Sequence, residues 1–248
     1  MIILKSKEEV EKIAVASRMV ANALQALKAY MKPGMTTKML DTFVEERIRE
    51  QGGMPAFKGY HDFPATLCVS INEEVVHGIP SDKIIKDGDI VGLDLGAIYE
   101  GFYGDSAITV PVGEVAEEIL RLLRVTEASL YAGIDQGREG GRLSDISHAI
   151  QSCVEKDGYS IVTDFVGHGI GRSLHEEPQI PNFGPKGQGP RLREGMVFAI
   201  EPMVNMGKHH VSVQDDGWTA VTTDGSLSAH FEHTIAITKD GPTILSKV

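Results

Sequence analysis

The order of elements in this chain repeats once, and that repeat constrains the fold more than any single motif. Apolar residues recur at helical spacing from Glu8 to Met31, where Lys32–Pro33–Gly34 stops them. A second helix follows in TTKMLDTFVEERIREQGG, with Thr36 or Thr37 as its N-cap and Gly52 as its stop. The same order returns later. Leu120 to Gly133 reads as a helix, and GGRLSDISHAIQSCVEKDG supplies a capped second one ending at Gly158. An offset of 106 lays Gly34 on Gly140, Leu40 on Ile146, Val44 on Ile150, Ile48 on Val154 and Gly52 on Gly158. The strands repeat too. KDGDIVGLD and REGMVFAIE align at an offset of 107, which lays Asp94 on Glu201. GDSAITV and FEHTIAIT align across a longer loop in the second half, which lays Asp105 on Glu232. Two matched halves packed about a pseudo-twofold axis would bring these four acids together.

The stretch DLGAIYEGFYGD reads as a hairpin. Folded with residue 98 opposite 101, it sets Asp94 directly across from Asp105, with Cβ atoms about 5 Å apart, where like charges repel. Several ionised carboxylates in a dry site must either stay protonated or be neutralised by cations. The segments holding these acids are poor in Lys and Arg, so a metal centre is the better reading. Taken singly, each acid has a plainer explanation; Glu201, in the apolar run VFAIEPM, would pass as a paired core group. His168 lies between glycines in DFVGHGIGRSLHEEPQIP, and flanking glycines let a backbone approach a ligand closely. Alternation places His230, Glu232 and Thr234 on one strand face. His175 has Gln179 four residues on and Pro178 in between, so HEEPQ is not a zincin helix. No nucleophile-elbow, P-loop or dinucleotide-binding pattern is present.

Composition narrows the class further. The chain has 248 residues, 42% of them hydrophobic, and a net charge of −11, which argues against a DNA-binding role. Two cysteines, Cys68 and Cys153, cannot build a disulfide framework or a thiolate zinc site. The start MIILKSKEEVEK does not have the pattern of a secretory signal, and no apolar run approaches the ~20 residues that span a bilayer. A cytoplasmic protein that does not enter membranes is expected.

Five motifs, HGIP (His77 to Pro80), DLGAIYEGFYGD, GHGIG around His168, IEPM and HFEHT, stand in an order that resembles the type I methionine aminopeptidases of bacteria. The resemblance covers nearly the whole chain. It implies an α+β fold of the pita-bread kind, in which two similar halves, roughly residues 1–115 and 116–248 of one catalytic domain, form an inner antiparallel sheet with helices outside. It also implies that Asp94, Asp105, His168, Glu201 and Glu232 ligate two divalent ions. By analogy Asp105 and Glu232 bridge both, Asp94 chelates one, and His168 and Glu201 bind the other. This hard donor set suits manganese, iron or cobalt, with zinc also compatible.

By the same resemblance, an activated hydroxide cleaves the first peptide bond, Glu201 accepts a proton, and His77 and His175 steady the scissile amide and the developing oxyanion. Tyr60, Phe63, Cys68 and Trp218 match the wall of the methionine pocket. Four positions depart from the enterobacterial pattern: Phe57 stands for cysteine, Phe63 for tyrosine, Leu174 for phenylalanine and Gly96 for threonine. The implied substrates are nascent polypeptide N-termini with a small second residue, met as a monomer near the ribosomal exit tunnel. Proline dipeptidases and Xaa-Pro aminopeptidases share the five-donor pattern but usually carry a large preceding domain, whereas this chain opens on the first helix. Non-catalytic relatives lose metal donors, and here all five are present.

Overall fold

A computed structural model describes residues 1–248. Two helices open the first half, α1 (Lys7–Tyr30) and α2 (Thr37–Glu50). Strands β1 (Met54–Pro55), β2 (Leu67–Ile71), β3 (Glu74–Val76), β4 (Ile90–Tyr99) and β5 (Phe102–Pro111) follow them. The second half opens with α3 (Glu117–Ile134) and α4 (Leu143–Lys156). Its strands are β6 (Ser160–Ile161), β7 (Gly167–Gly169), β8 (Glu176–Ile180), β9 (Val197–Ile200) and β10 (Met203–Asn205). They continue with β11 (Val211–Val213), β12 (Ala220–Thr222), β13 (Ser228–His230), β14 (Glu232–Thr238) and β15 (Gly241–Ile244).

Local signals account for the helix starts. Ser6 caps α1 through a box with Glu9, each side chain bonded to the other's backbone N–H. Thr36 caps α2 by accepting from the Met39 N–H at 3.3 Å. The third helix begins a turn earlier than its apolar periodicity suggests, with Glu117 and Glu118 in the first turn, where negative charge favours the helix dipole.

A nine-stranded sheet runs β1-β4-β5-β14-β9-β7-β8, with β2 also on β4 and β15 also on β14. Alternation divides its two faces. Val91, Leu93, Leu95 and Ala97 of β4 pack into one core with Val20 and Leu24 of α1 and Val44 of α2. Ile235 and Ile237 of β14 pack into another with residues of α3 and α4. Asp94, Asp105 and Glu232 point to the opposite face, toward the cavity. This is the α+β architecture with inner sheet and outer helices.

The repeat holds at the level of single hydrogen bonds. Gly34 N donates to Ile85 O at 2.8 Å, and Gly140 N to Leu192 O at 2.9 Å. Thr37 N donates to Lys83 O and Leu143 N to Pro190 O, both at 3.0 Å. Lys38 N bonds Ser81 O at 2.9 Å, and Ser144 N bonds Gln188 O at 3.2 Å. In the sheet the two halves meet where β5 pairs with β14. Side chains reinforce that seam: Thr234 Oγ1 donates to Asp105 O at 2.7 Å and accepts from Asp105 N at 3.1 Å. Thr109 Oγ1 clasps the His230 backbone in the same way, at 2.8 and 2.9 Å.

The hairpin register differs from expectation by two positions. Asp94 faces Ala107, and Gly96 faces Asp105. The turn lies one residue further along than symmetry about residues 98 and 101 suggests, at Glu100–Gly101, both with positive φ (47° and 77°). That is the paired left-handed conformation that suits a two-residue hairpin. The aspartates are therefore diagonal rather than opposed, though still on one face. His230 and Glu232 also fall on separate strands, because the chain breaks between β13 and β14 at Phe231.

Gly34 and Gly140 both hold positive φ (90° and 86°), with no atom within 4 Å of where a Cβ would sit. Replacing either with alanine should cost a matching ~1 kcal/mol through backbone conformation alone. Chemical denaturation of the two single variants checks both the size and the equality of the losses.

Candidate metal centre

Each carboxylate reaches the centre from a different strand or strand end. Asp94 lies within β4 and Asp105 within β5; Glu232 opens β14, and Glu201 follows β9 where Pro202 ends pairing. His168 is the middle residue of β7, between Gly167 and Gly169. Those glycines serve the sheet: a Cβ on Gly167 would lie 2.5 Å from Ala199 O, and one on Gly169 2.3 Å from Glu177 O. Close approach of neighbouring backbone, rather than of a ligand, requires them.

Ligand atoms of Asp105, His168 and Glu232 all lie within 4.8 Å of one another. His168 Nε2 is 3.5 Å from Glu201 Oε1. Its Nδ1 lies 3.0 Å from Gly169 O, so Nδ1–H donates there and Nε2 keeps its lone pair for the cavity. Asp94 Oδ1, Asp105 Oδ1 and Glu232 Oε1 are buried without any hydrogen-bond partner. No Lys or Arg lines the cavity. Unpartnered acid oxygens beside a free imidazole nitrogen fit hard divalent cations.

Burial dominates the electrostatics. It pushes Asp94 up to about 7, the nearby Glu201 charge adding to the rise while His230 opposes it. Burial alone raises Glu201 to about 8. Asp105 and Glu232 stand well above the usual carboxylate range, through burial first and the neighbouring acids second. The same desolvation disfavours imidazolium, lowering His168 to about 3 and His77 to about 4.

Around these acids is a cavity of about 280 Å³ whose lining includes all eleven residues singled out from the sequence. The Tyr60 hydroxyl lies 2.7 Å from His175 Nδ1. Phe63 meets Trp218 edge-on at 5.0 Å between centroids. His77, in the left-handed region at φ 61°, packs edge-on against Phe165 at 5.3 Å. Asp216 fixes the approach to Trp218 by accepting from the backbone N–H groups of Trp218 and Thr219, at 2.8 and 2.9 Å. Cys68 is buried in the wall, and burial raises its thiol well above normal, which leaves it inert.

Two histidines near the acids have no role in the sequence reading. His230 is 3% exposed and lies behind the cavity wall, with Nε2 at 3.7 Å from Glu201 Oε2. Its position on the face shared with Glu232 was the available signal. His61, beside Tyr60, had none. A buried ion pair also bears on the site: Lys5 Nζ contacts Glu176, the neighbour of His175, and Glu176 also accepts from the backbone of Arg172.

The sequence profile of metallopeptidase family M24 matches residues 11–239. The chain is 52% identical to methionine aminopeptidase 1 of Bacillus subtilis, with 100% of each covered. The solved methionine aminopeptidase of Thermotoga maritima superposes with a TM-score of 0.98, at 50% identity over 100% of both chains. The prolidase from Pyrococcus furiosus superposes at 0.80 and 25% identity, over 99% of this chain but 66% of its own.

Two outcomes are expected. The lowered histidines add stability as pH rises from about 3 to about 6.5, the window between their folded values and the ordinary imidazole value. The raised carboxylates act oppositely, so between pH 7 and 8 they dominate. There the metal-stripped fold holds more protons than the unfolded chain. Its melting temperature should therefore fall from pH 7 to 8, and saturating Mn²⁺ should abolish that fall, as scanning calorimetry would show. Separately, Lys5→Met leaves Glu176 buried and unpaired; it should cost ~3 kcal/mol in urea denaturation.

Proposed function

The chain belongs to metallopeptidase family M24, among its methionine aminopeptidases, and we propose that it excises methionine from nascent polypeptides with two divalent ions. Asp94, Asp105, His168, Glu201 and Glu232 would hold the pair. Mn, Fe or Co suits one imidazole and four carboxylates, and Zn is compatible. Bound there, the ions supply a water acidic enough to ionise near neutral pH and a Lewis acid for the scissile carbonyl. The observation that carries this reading is the set of buried acid oxygens left without partners in a cavity free of Lys and Arg.

The chain's own residues do the rest. Glu201 takes the proton of the attacking water and returns it to the leaving amine, as a carboxylate held within the acid cluster can. His77 and His175 stay neutral at physiological pH and offer N–H groups to the scissile amide and the developing oxyanion. Were the Tyr60 hydroxyl to donate across its 2.7 Å contact with Nδ1, His175 would carry its proton on Nε2. Tyr60, Phe63, Cys68 and Trp218 enclose an apolar side chain, and a small second residue fits the narrow space beyond it. The substrates are N-termini of nascent chains in the cytoplasm, met near the ribosomal exit tunnel. One chain carries all five donors, so a monomer suffices.

Stripped protein reloaded with Mn²⁺, Co²⁺ or Fe²⁺ should release methionine from Met-Ala-Ser, with little cleavage of Met-Ile-Ser or Ala-Pro. Glu201→Gln should lower turnover by about 10³-fold and weaken metal binding. His77→Ala and His175→Ala should each cost about 10²-fold with metal retained. Preference for Ala-Pro would move the chain to the prolidase branch, whose Pyrococcus furiosus member shares its fold.

A further inference from the structure

Gly96 stands opposite Asp105 in the β4–β5 ladder, so a side chain there would project onto the carboxylate face. That space is already filled. A Cβ on Gly96 would lie 2.6 Å from Cε1 and 3.1 Å from Cδ1 of Phe57, and 2.9 Å from Ala56 Cβ. Retreat of the Phe57 segment is restrained, because Ala56 N donates to Gly96 O at 3.1 Å and Pro55 pairs with Ala97. Phe57 is buried among Phe63, Cys68 and Leu174, and it lines the cavity. Its ring therefore lies on bare β4 backbone at Gly96, in the wall of the cavity that also holds the two aspartates.

The two positions lie 39 residues apart in the chain. Read one at a time they look unrelated. In space they share one volume: a side chain at 96 would occupy the place the Phe57 ring fills.

We propose that Phe57 and Gly96 form one specificity-determining unit, in which the ring laid over residue 96 sets how long a first side chain the pocket admits. This rests on the methionine aminopeptidase reading and adds what limits the pocket. In the wild type the ring closes the pocket beyond the methionine methyl group, so ethionine, one carbon longer, is disfavoured. Removing the ring opens that space, and a side chain at 96 refills it.

The test is a double-mutant cycle of Phe57→Cys and Gly96→Thr, read by melting temperature and by kcat/KM for Met-Ala-Ser and ethionyl-Ala-Ser. Gly96→Thr alone should lower the melting temperature or fail to fold, and the double variant should fold and recover most of that loss. Phe57→Cys should raise the ethionyl-to-methionyl kcat/KM ratio about tenfold, the scale of one methylene in an apolar pocket. Adding Gly96→Thr should bring the ratio back toward the wild type. Additive melting-temperature losses, or an unchanged ratio in Phe57→Cys, overturn the proposal while leaving methionine excision intact. A wild type that cleaves no methionyl peptide overturns the functional reading, and this proposal with it.

Discussion

Four carboxylates share one buried cavity with no cationic side chain in reach, and the rest of the structure answers to that constraint. Removing a single ionised group from water costs several kcal/mol even after relaxation. A natural fold keeps such an arrangement only if something restores the balance. Here the framework is firm. Asp105 is held at its backbone by Thr234, Ser106 Oγ donates to Glu232 O at 2.7 Å, and His168 is oriented by Gly169 O. The donors are thus set in place by groups that do not themselves neutralise them, as a cation-binding frame requires.

The near-symmetric halves explain how so many acids meet. One helix–helix–hairpin unit delivers two carboxylates, and its counterpart delivers two more across the β5–β14 seam. Because strand side chains alternate, a slip of one residue on any of these strands would send its acid into the helical core. The paired hydrogen bonds of Gly34 and Gly140, and of Thr37 and Leu143, hold the helix pairs to corresponding loops in each half. The pocket, by contrast, breaks the symmetry: Tyr60, Phe63 and Cys68 come from one half and Trp218 from a loop of the other.

Much of this was legible from the chain alone. Helix positions followed from caps and apolar spacing, both local in origin, and the acids followed from the offset between halves. The misjudged features depend on contacts that leave no local trace. Glu100 takes a left-handed conformation uncommon for its type, which moved the turn by one residue and the pairing by two. The glycines beside His168 answer to strands that are distant in sequence. Lys5 and Glu176 are 171 residues apart, and no pattern near either announces the other. His230 carried a signal in its alternation with Glu232, but the break at Phe231 hid how close it comes to Glu201.

The placement of the donors on both sides of the seam has a mechanical meaning. Asp94 and Asp105 belong to one lobe, and His168, Glu201 and Glu232 to the other. A cation engaging both sets would be a rivet through the joint, and its binding energy would add to the cohesion of the two lobes. Without such a cation the two lobes would lose one of their ties, so on the proposed reading the metal would brace the molecule as well as supply its chemistry.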